Sequence, residues 1–185
     1  MSKKLLKEYI KLFIHEQLRN RKLYVWDLDD TLVITNSRVH VEKENGDILH
    51  LTPAEYAVYE REPGDTFDYS DFEGLKDPKA INWTTKILKR VIEKYGTDGA
   101  VILTARGSEQ PAREFFKLND IPEIPIVALG DSHPERKAQW IKMVALKFGY
   151  DEIEFFDDSK KNIDAVRRLK VPGVNIIARL IKDHH

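Results

Sequence analysis

The chain has no cysteine, which excludes disulfides, thiolate metal sites and cysteine nucleophiles. A reducing compartment suits such a chain, and the cytoplasm is the expected location. No apolar stretch in the 185 residues approaches the roughly 20 needed to cross a bilayer, so no membrane partner is expected. Charge of one sign is also lacking. The formal net charge of −1 removes a global basic field that would advertise nucleic acid, while leaving room for a local basic groove. Internal repeats and low-complexity segments are absent. His184 and His185 resemble the remnant of a purification tag and are left out of the chemistry.

What is present fits an ordinary globular protein: 42% hydrophobic and 33% charged residues, enough for one core. The length suits a single domain with a modest insertion. Residues 1–20 place Leu5, Leu6, Tyr9, Ile10, Phe13 and Ile14 at helical spacing between lysines, with no unbroken signal-peptide core. They are expected to form an amphipathic helix that covers one side of the domain, the alternative being a membrane-surface or partner helix.

From there the pattern alternates. Short apolar runs at 22–26, 100–103, 125–129, 152–156 and 174–178 read as buried strands, and helical periodicity runs over 81–95, 109–118, 134–148 and 160–169. Alternation of this kind predicts an α/β fold: a three-layer, doubly wound, Rossmann-like parallel sheet of about five strands, in a domain spanning 21–183. Ligands of such sheets bind beyond the carboxyl ends of the strands. Residues 36–78 break the rhythm and read as an insertion over that face. Within it, alternating residues 39–51 surround Asn45-Gly46, a two-residue hairpin signal, and Thr52-Pro53-Ala54-Glu55 supplies a capping box for a short helix. An acidic stretch with aromatics follows at 60–73.

The first predicted strand ends in Asp27-Leu28-Asp29-Asp30-Thr31-Leu32. Clustered carboxylates repel and raise one another's pKa, and a divalent cation is the simplest relief; with only oxygen ligands, Mg2+ is the natural choice. Asp27 and Asp29, two apart in extended chain, point the same way and could flank one reacting group as nucleophile and proton carrier. A loop of aspartates that merely caps a helix or makes a turn is the competing reading.

Asp27-Leu-Asp-Asp-Thr-Leu32 resembles the first motif of the haloacid dehalogenase superfamily in its phosphatase form, and three further motifs follow in order. Val101-Ile-Leu-Thr104-Ala105-Arg106 resembles the second, Lys137 at a helix start the third, and Phe155-Phe-Asp157-Asp158 the fourth. The resemblance implies a phosphatase in which Asp27 accepts the phosphoryl group and Asp29 is general acid and base. It further implies that Thr104, the backbone N–H of Ala105 and Lys137 hold phosphoryl oxygens, and that Asp27, the backbone carbonyl of Asp29 and Asp158 hold the metal. An aspartate two residues after the nucleophile favours phosphoryl transfer over dehalogenation.

Several positions carry two readings. Asp157 either binds the metal or orients Lys137 or a metal-bound water; Asn162 acts through a water or is only a helix-turn residue. Arg106 binds a second acidic group of the substrate or pairs with the acidic insertion. Arg136 is a second candidate for the lysine's role, although it faces a different way from Lys137. Gly130-Asp131-Ser132 imitates the fourth motif and is expected to be a helix-entry loop. Tyr56, Tyr59, Phe67, Tyr69 and Phe72 either stack on a substrate or anchor the insertion. The six histidines show no paired spacing for a transition metal. The expected partner is a phosphorylated small molecule or the phosphorylated end of a nucleic acid. The layout also loosely resembles the phosphatase domains of polynucleotide kinase-phosphatases, without any kinase phosphate-binding loop; a basic groove leading to Asp27 would favour nucleic acid, and a closed pocket under the insertion a metabolite. A non-catalytic binding module or partner-dependent subunit of the same fold is the alternative from another class.

Overall fold

The computed structural model describes residues 21–56 and 58–182. The expected leading helix and the terminal histidines lie outside the described residues.

The chain is α/β. In order come β1 (Lys22–Trp26), β2 (Val33–Ile34), β3 (Val39–Glu42), β4 (Ile48–Leu51), α1 (Pro53–Tyr56), β5 (Thr66–Asp68) and β6 (Lys79–Ala80). Then follow α2 (Asn82–Tyr95), β7 (Ala100–Thr104), α3 (Gln110–Leu118), β8 (Ile126–Ala128), α4 (Pro134–Phe148), β9 (Glu152–Asp157), α5 (Lys160–Arg167) and β10 (Asn175–Leu180). The five expected strands form one sheet in the order β10-β9-β1-β7-β8, every pair parallel. Among the described residues no helix is long and apolar enough to cross a membrane.

The central strands β1 and β7 are largely apolar because successive side chains enter two different cores. Leu23 and Val25 join Val101, Leu103, Ile153 and Phe155 in a cluster completed by Ile141 and Val144 of α4 and Ile163 and Val166 of α5. Trp26 joins Ile102 and Phe156 in the other, with Leu88 and Val91 of α2 and Phe115 and Phe116 of α3. Trp26 stacks flat on Phe156, ring centroids 4.0 Å apart. Parallel strands need long crossovers, and helices carrying apolar stripes supply them.

The insertion leaves and re-enters through β2 and β6, which pair antiparallel with Val33 opposite Ala80. Between them β4, β3 and β5 make a small antiparallel sheet. The hairpin differs from the expected two-residue turn. The Lys43 N–H donates to the Asp47 carbonyl and the Gly46 N–H to the Lys43 carbonyl, each at 2.9 Å, giving a three-residue loop with Gly46 at φ 87°. Such a loop is a type I turn closed by a left-handed glycine, which explains why Asn45-Gly46 serves it as well as a tighter turn. The extra residue moves the register by one, so His40 faces His50 instead of Leu51. The rings of His40 and His50 then meet edge to face, Nδ1 atoms 2.5 Å apart, a pairing made across strands that linear spacing does not reveal.

The expected capping box is present: the Thr52 N–H donates to Glu55 Oε2 at 2.7 Å and the Glu55 N–H to Thr52 Oγ1 at 3.1 Å. Strand β5, unexpected from the sequence, is three residues long and pairs only along β3. The aromatic residues of the insertion pack on one another. Tyr56, Tyr59 and Tyr69 surround Phe67, and Arg61 lies over Phe67 with its guanidinium carbon 4.7 Å from the ring centre. This packing is internal to the insertion, and of the five aromatic residues it is Phe72 that lies against Arg106 of the domain.

Phe115 is fully buried in the α2–α3 core. Phe115→Ala is expected to lower unfolding stability by about 3 to 5 kcal/mol through lost burial and the cavity left behind. Urea denaturation measures it, and a loss below about 1 kcal/mol would contradict that packing.

Candidate active site

Strand register sets the site. Trp26 lies level with Ile102 on β7 and with Phe156 on β9. The Asp27 N–H continues the ladder to the Phe156 carbonyl at 2.9 Å. The residues following each strand therefore emerge together at the carboxyl edge: Asp27 after β1, Thr104 ending β7, and Asp157 and Asp158 at the end of β9.

The loop after β1 is wound tightly. The Leu32 and Val33 N–H groups both return to the Leu28 carbonyl, and Asp30 takes a left-handed conformation at φ 52°. Thr31 is buried, and its Oγ1 accepts the Asp158 N–H at 3.1 Å, fastening the first acidic loop to the second.

At the centre is Lys137. It opens the buried stripe of α4 that continues through Ile141 and Val144, whereas Arg136 faces outward. Its Nζ lies 2.7 Å from Asp27 Oδ1 and 2.7 Å from Asp157 Oδ2. Burial works to lower the lysine's pKa, but the two carboxylates in contact outweigh it and hold the ammonium protonated. Asp157 has no exposed surface, and both its oxygens are occupied. Asn162 Nδ2 donates to each at 3.0 Å and the Ser159 N–H donates to Oδ1 at 2.8 Å. Of the two readings for Asp157, this geometry is that of a residue orienting Lys137. Asn162 takes a role absent from both expectations, holding Asp157 from the first turn of α5, which Ser159 caps.

Oxygens of Asp27, Asp157 and Asp158 all lie within 4.8 Å of one another. Burial pushes Asp27 well above the ordinary carboxylate range, Lys137 pulling the other way. Asp158 is pushed up to about 7 by burial, with Asp157 and Asp30 adding repulsion. One lysine does not balance three carboxylates, and the donors are all hard oxygens. The residues fit a hard divalent cation held chiefly by Asp27 and Asp158.

Thr104 is buried, and its Oγ1 accepts the Arg106 N–H at 3.1 Å, leaving its own O–H to donate. Arg106 does not stand open to solvent. Its guanidinium grips Asp29 with two bonds, Nε to Oδ2 at 2.9 Å and Nη2 to Oδ1 at 2.7 Å. Nη1 donates to the Phe72 and Gly74 carbonyls, both at 2.8 Å. Of the two readings for Arg106, pairing with the insertion matches this geometry, although through backbone carbonyls instead of acidic side chains. The Asp29 partnership was not expected, and no linear spacing signals it. Asp131 is used locally, accepting from the His133 N–H at 2.9 Å and from Arg136 Nε at 2.8 Å, as a helix-entry loop does. That bond also keeps Arg136 away from the carboxylate cluster.

No protein-family model matches the chain, and no curated protein matches it.

Because Asp158 holds its proton more tightly in the folded than in the unfolded chain, the metal-free protein is expected to lose stability as pH rises from the ordinary carboxylate range through about 7. The folded state binds the extra proton, so raising pH favours unfolding. Urea midpoints across this range in chelator should fall, and Asp158→Asn should flatten the slope. An equal slope in the variant would remove Asp158 as its source.

Proposed function

We propose that the chain is a Mg2+-dependent phosphomonoester hydrolase of the haloacid dehalogenase type, acting in the cytoplasm through an aspartyl-phosphate at Asp27. The observation that carries this reading is the meeting of Asp27, Thr104, Lys137 and Asp158 at one edge of a parallel sheet, with Lys137 in contact with the nucleophile. The two core clusters, each holding alternate strand residues, support the finer reading of the fold as three-layer and doubly wound.

Transfer of a phosphoryl group is mainly a matter of positioning and charge stabilisation. Lys137 contacts Asp27 Oδ1, and a carboxylate oxygen of Asp27 attacks phosphorus. The bond to phosphorus forms as the ester P–O bond breaks, and Asp29, which must enter the step protonated against the pull of the Arg106 ion pair, delivers that proton to the departing oxygen. Water then attacks phosphorus, the Asp27–phosphate bond breaks, Asp29 takes the water's proton, and inorganic phosphate leaves. Thr104 O–H, the Ala105 N–H and Lys137 hold the phosphoryl oxygens. Asp27, Asp158 and the Asp29 carbonyl would hold the metal, which when bound would supply the positive charge that lets an anionic nucleophile approach an anionic ester. Asp157 keeps Lys137 in place. The ester is a nucleotide, another small phosphometabolite or a nucleic-acid terminal phosphate, and a panel spanning these classes discriminates among them.

Purified protein with Mg2+ is expected to release phosphate from p-nitrophenyl phosphate, and chelator to abolish the release until Mg2+ is restored. No activity above an Asp27→Asn control across a broad phosphoester panel would leave a non-catalytic binding module as the reading. Full activity in chelator would remove the proposed metal.

Asp29→Asn keeps the shape but cannot carry the proton, so steady-state turnover should fall by about 100-fold or more. Unchanged turnover would contradict the assigned role.

A further inference from the structure

Arginine 106 is 5% exposed, and four of its five N–H groups are committed: two to Asp29, one to the Phe72 carbonyl and one to the Gly74 carbonyl. The Phe72 ring covers it, 5.2 Å from ring centre to guanidinium carbon. At its other end the backbone of Arg106 is fixed on both sides, its N–H on Thr104 Oγ1 and its carbonyl accepting the Gly130 N–H at 3.0 Å. A buried guanidinium with these partners is costly to empty, and a substrate group would have to displace Asp29 or a carbonyl to bind it.

The carbonyls that hold Arg106 belong to the returning limb of the insertion, and that limb is itself seated. The Leu75 N–H donates to Glu114 Oε2 of α3 at 3.1 Å, and Leu75 enters the core. Asp71 accepts the Arg38 N–H at 2.9 Å and a Lys76 bond at 3.0 Å, and its carbonyl accepts from Ser37 Oγ at 3.0 Å. Only a planar fork with donors on both edges can span a carboxylate on one side and two carbonyls on the other; a lysine ammonium cannot.

We infer that Arg106 is a positioning residue through which the insertion sets the orientation of the Asp29 carboxylate, instead of a ligand for the substrate. The inference rests on the phosphoryl-transfer reading of Asp29. Asp29 is the partly exposed member of the pair, its side chain 32% accessible against 3% for Arg106, and among the described residues the fork supplies the hydrogen bonds to both its oxygens. A proton carrier displaced by about 1 Å loses on the order of 100-fold in rate, with little effect on substrate binding.

The test compares wild type, Arg106→Gln and Arg106→Lys with p-nitrophenyl phosphate and Mg2+. Both variants should lose kcat, Arg106→Gln by about 100-fold and Arg106→Lys by less, while KM changes less than about threefold. Guanidinium ion added to Arg106→Ala should restore part of kcat, a response that general destabilisation would not give. A raised KM at preserved kcat would make Arg106 a substrate ligand and overturn the inference. So would unchanged kinetics, full activity in Arg106→Lys, or a rise in kcat, which would make the ion pair a restraint. An inactive wild type would instead be the failure of the phosphatase reading. In that case amide exchange still reads the clamp: Glu73 to Lys76 should exchange faster in Arg106→Gln, and equal protection would show that Arg106 does not tie the insertion to Asp29.

Discussion

The structure depends on one electrostatic constraint, three carboxylates gathered at the sheet edge around a single buried lysine. Asp27, Asp157 and Asp158 lie within 4.8 Å of one another, and the Lys137 ammonium reaches two of them. Buried like charges at this spacing oppose folding unless countered. Everything near the site bears on that balance. Asn162 and the Ser159 N–H satisfy Asp157, α4 brings Lys137 inward on its apolar stripe, and the Thr31 hydroxyl ties the two acidic loops together. What is left uncompensated is the charge on Asp27 and Asp158. On the proposed reading that residue of negative charge is what recruits the metal.

The division of labour between sheet and insertion follows from geometry. The parallel register fixes Asp27, Thr104 and Asp157 with no adjustable parts, since each terminates a strand paired to its neighbour. Asp29 lies just beyond the sheet, where the ladder no longer holds the chain. Its carboxylate is fixed from outside by Arg106, and Arg106 by the insertion. Asp27 and Asp29, two residues apart in sequence, are thus positioned by different parts of the molecule.

Much of this was legible in the sequence, because the relevant signals are local. Strands 22–26 and 152–156 were found from apolar runs ending in aspartate, and helix 134–148 from its period and from Pro134; their bounds in the structure match to a residue or better. Lys137 could be preferred over Arg136 because the third motif it resembles carries a lysine, helical phase adding only that the two face different ways. The misses share a cause: each depends on which residues face each other across space. The hairpin register needed the choice between two turn types that Asn45-Gly46 serves equally, and with it went the meeting of His40 and His50. The bond from Arg106 to Asp29 joins residues 77 positions apart. Strand β5 is too short to carry a pattern and exists because β3 offers it an edge. The role of Asn162, donating to both oxygens of Asp157, is a contact that no linear motif records.

The claim at the centre is covalent: phosphate passes through Asp27. Acid quenching during turnover, followed by borohydride reduction and peptide mass analysis, reads this directly, since reduction converts an aspartyl-phosphate to homoserine. The account predicts homoserine at position 27 and nowhere else. Phosphate release with Asp27 unmodified, or with the label on Asp29 or Asp158, would contradict it.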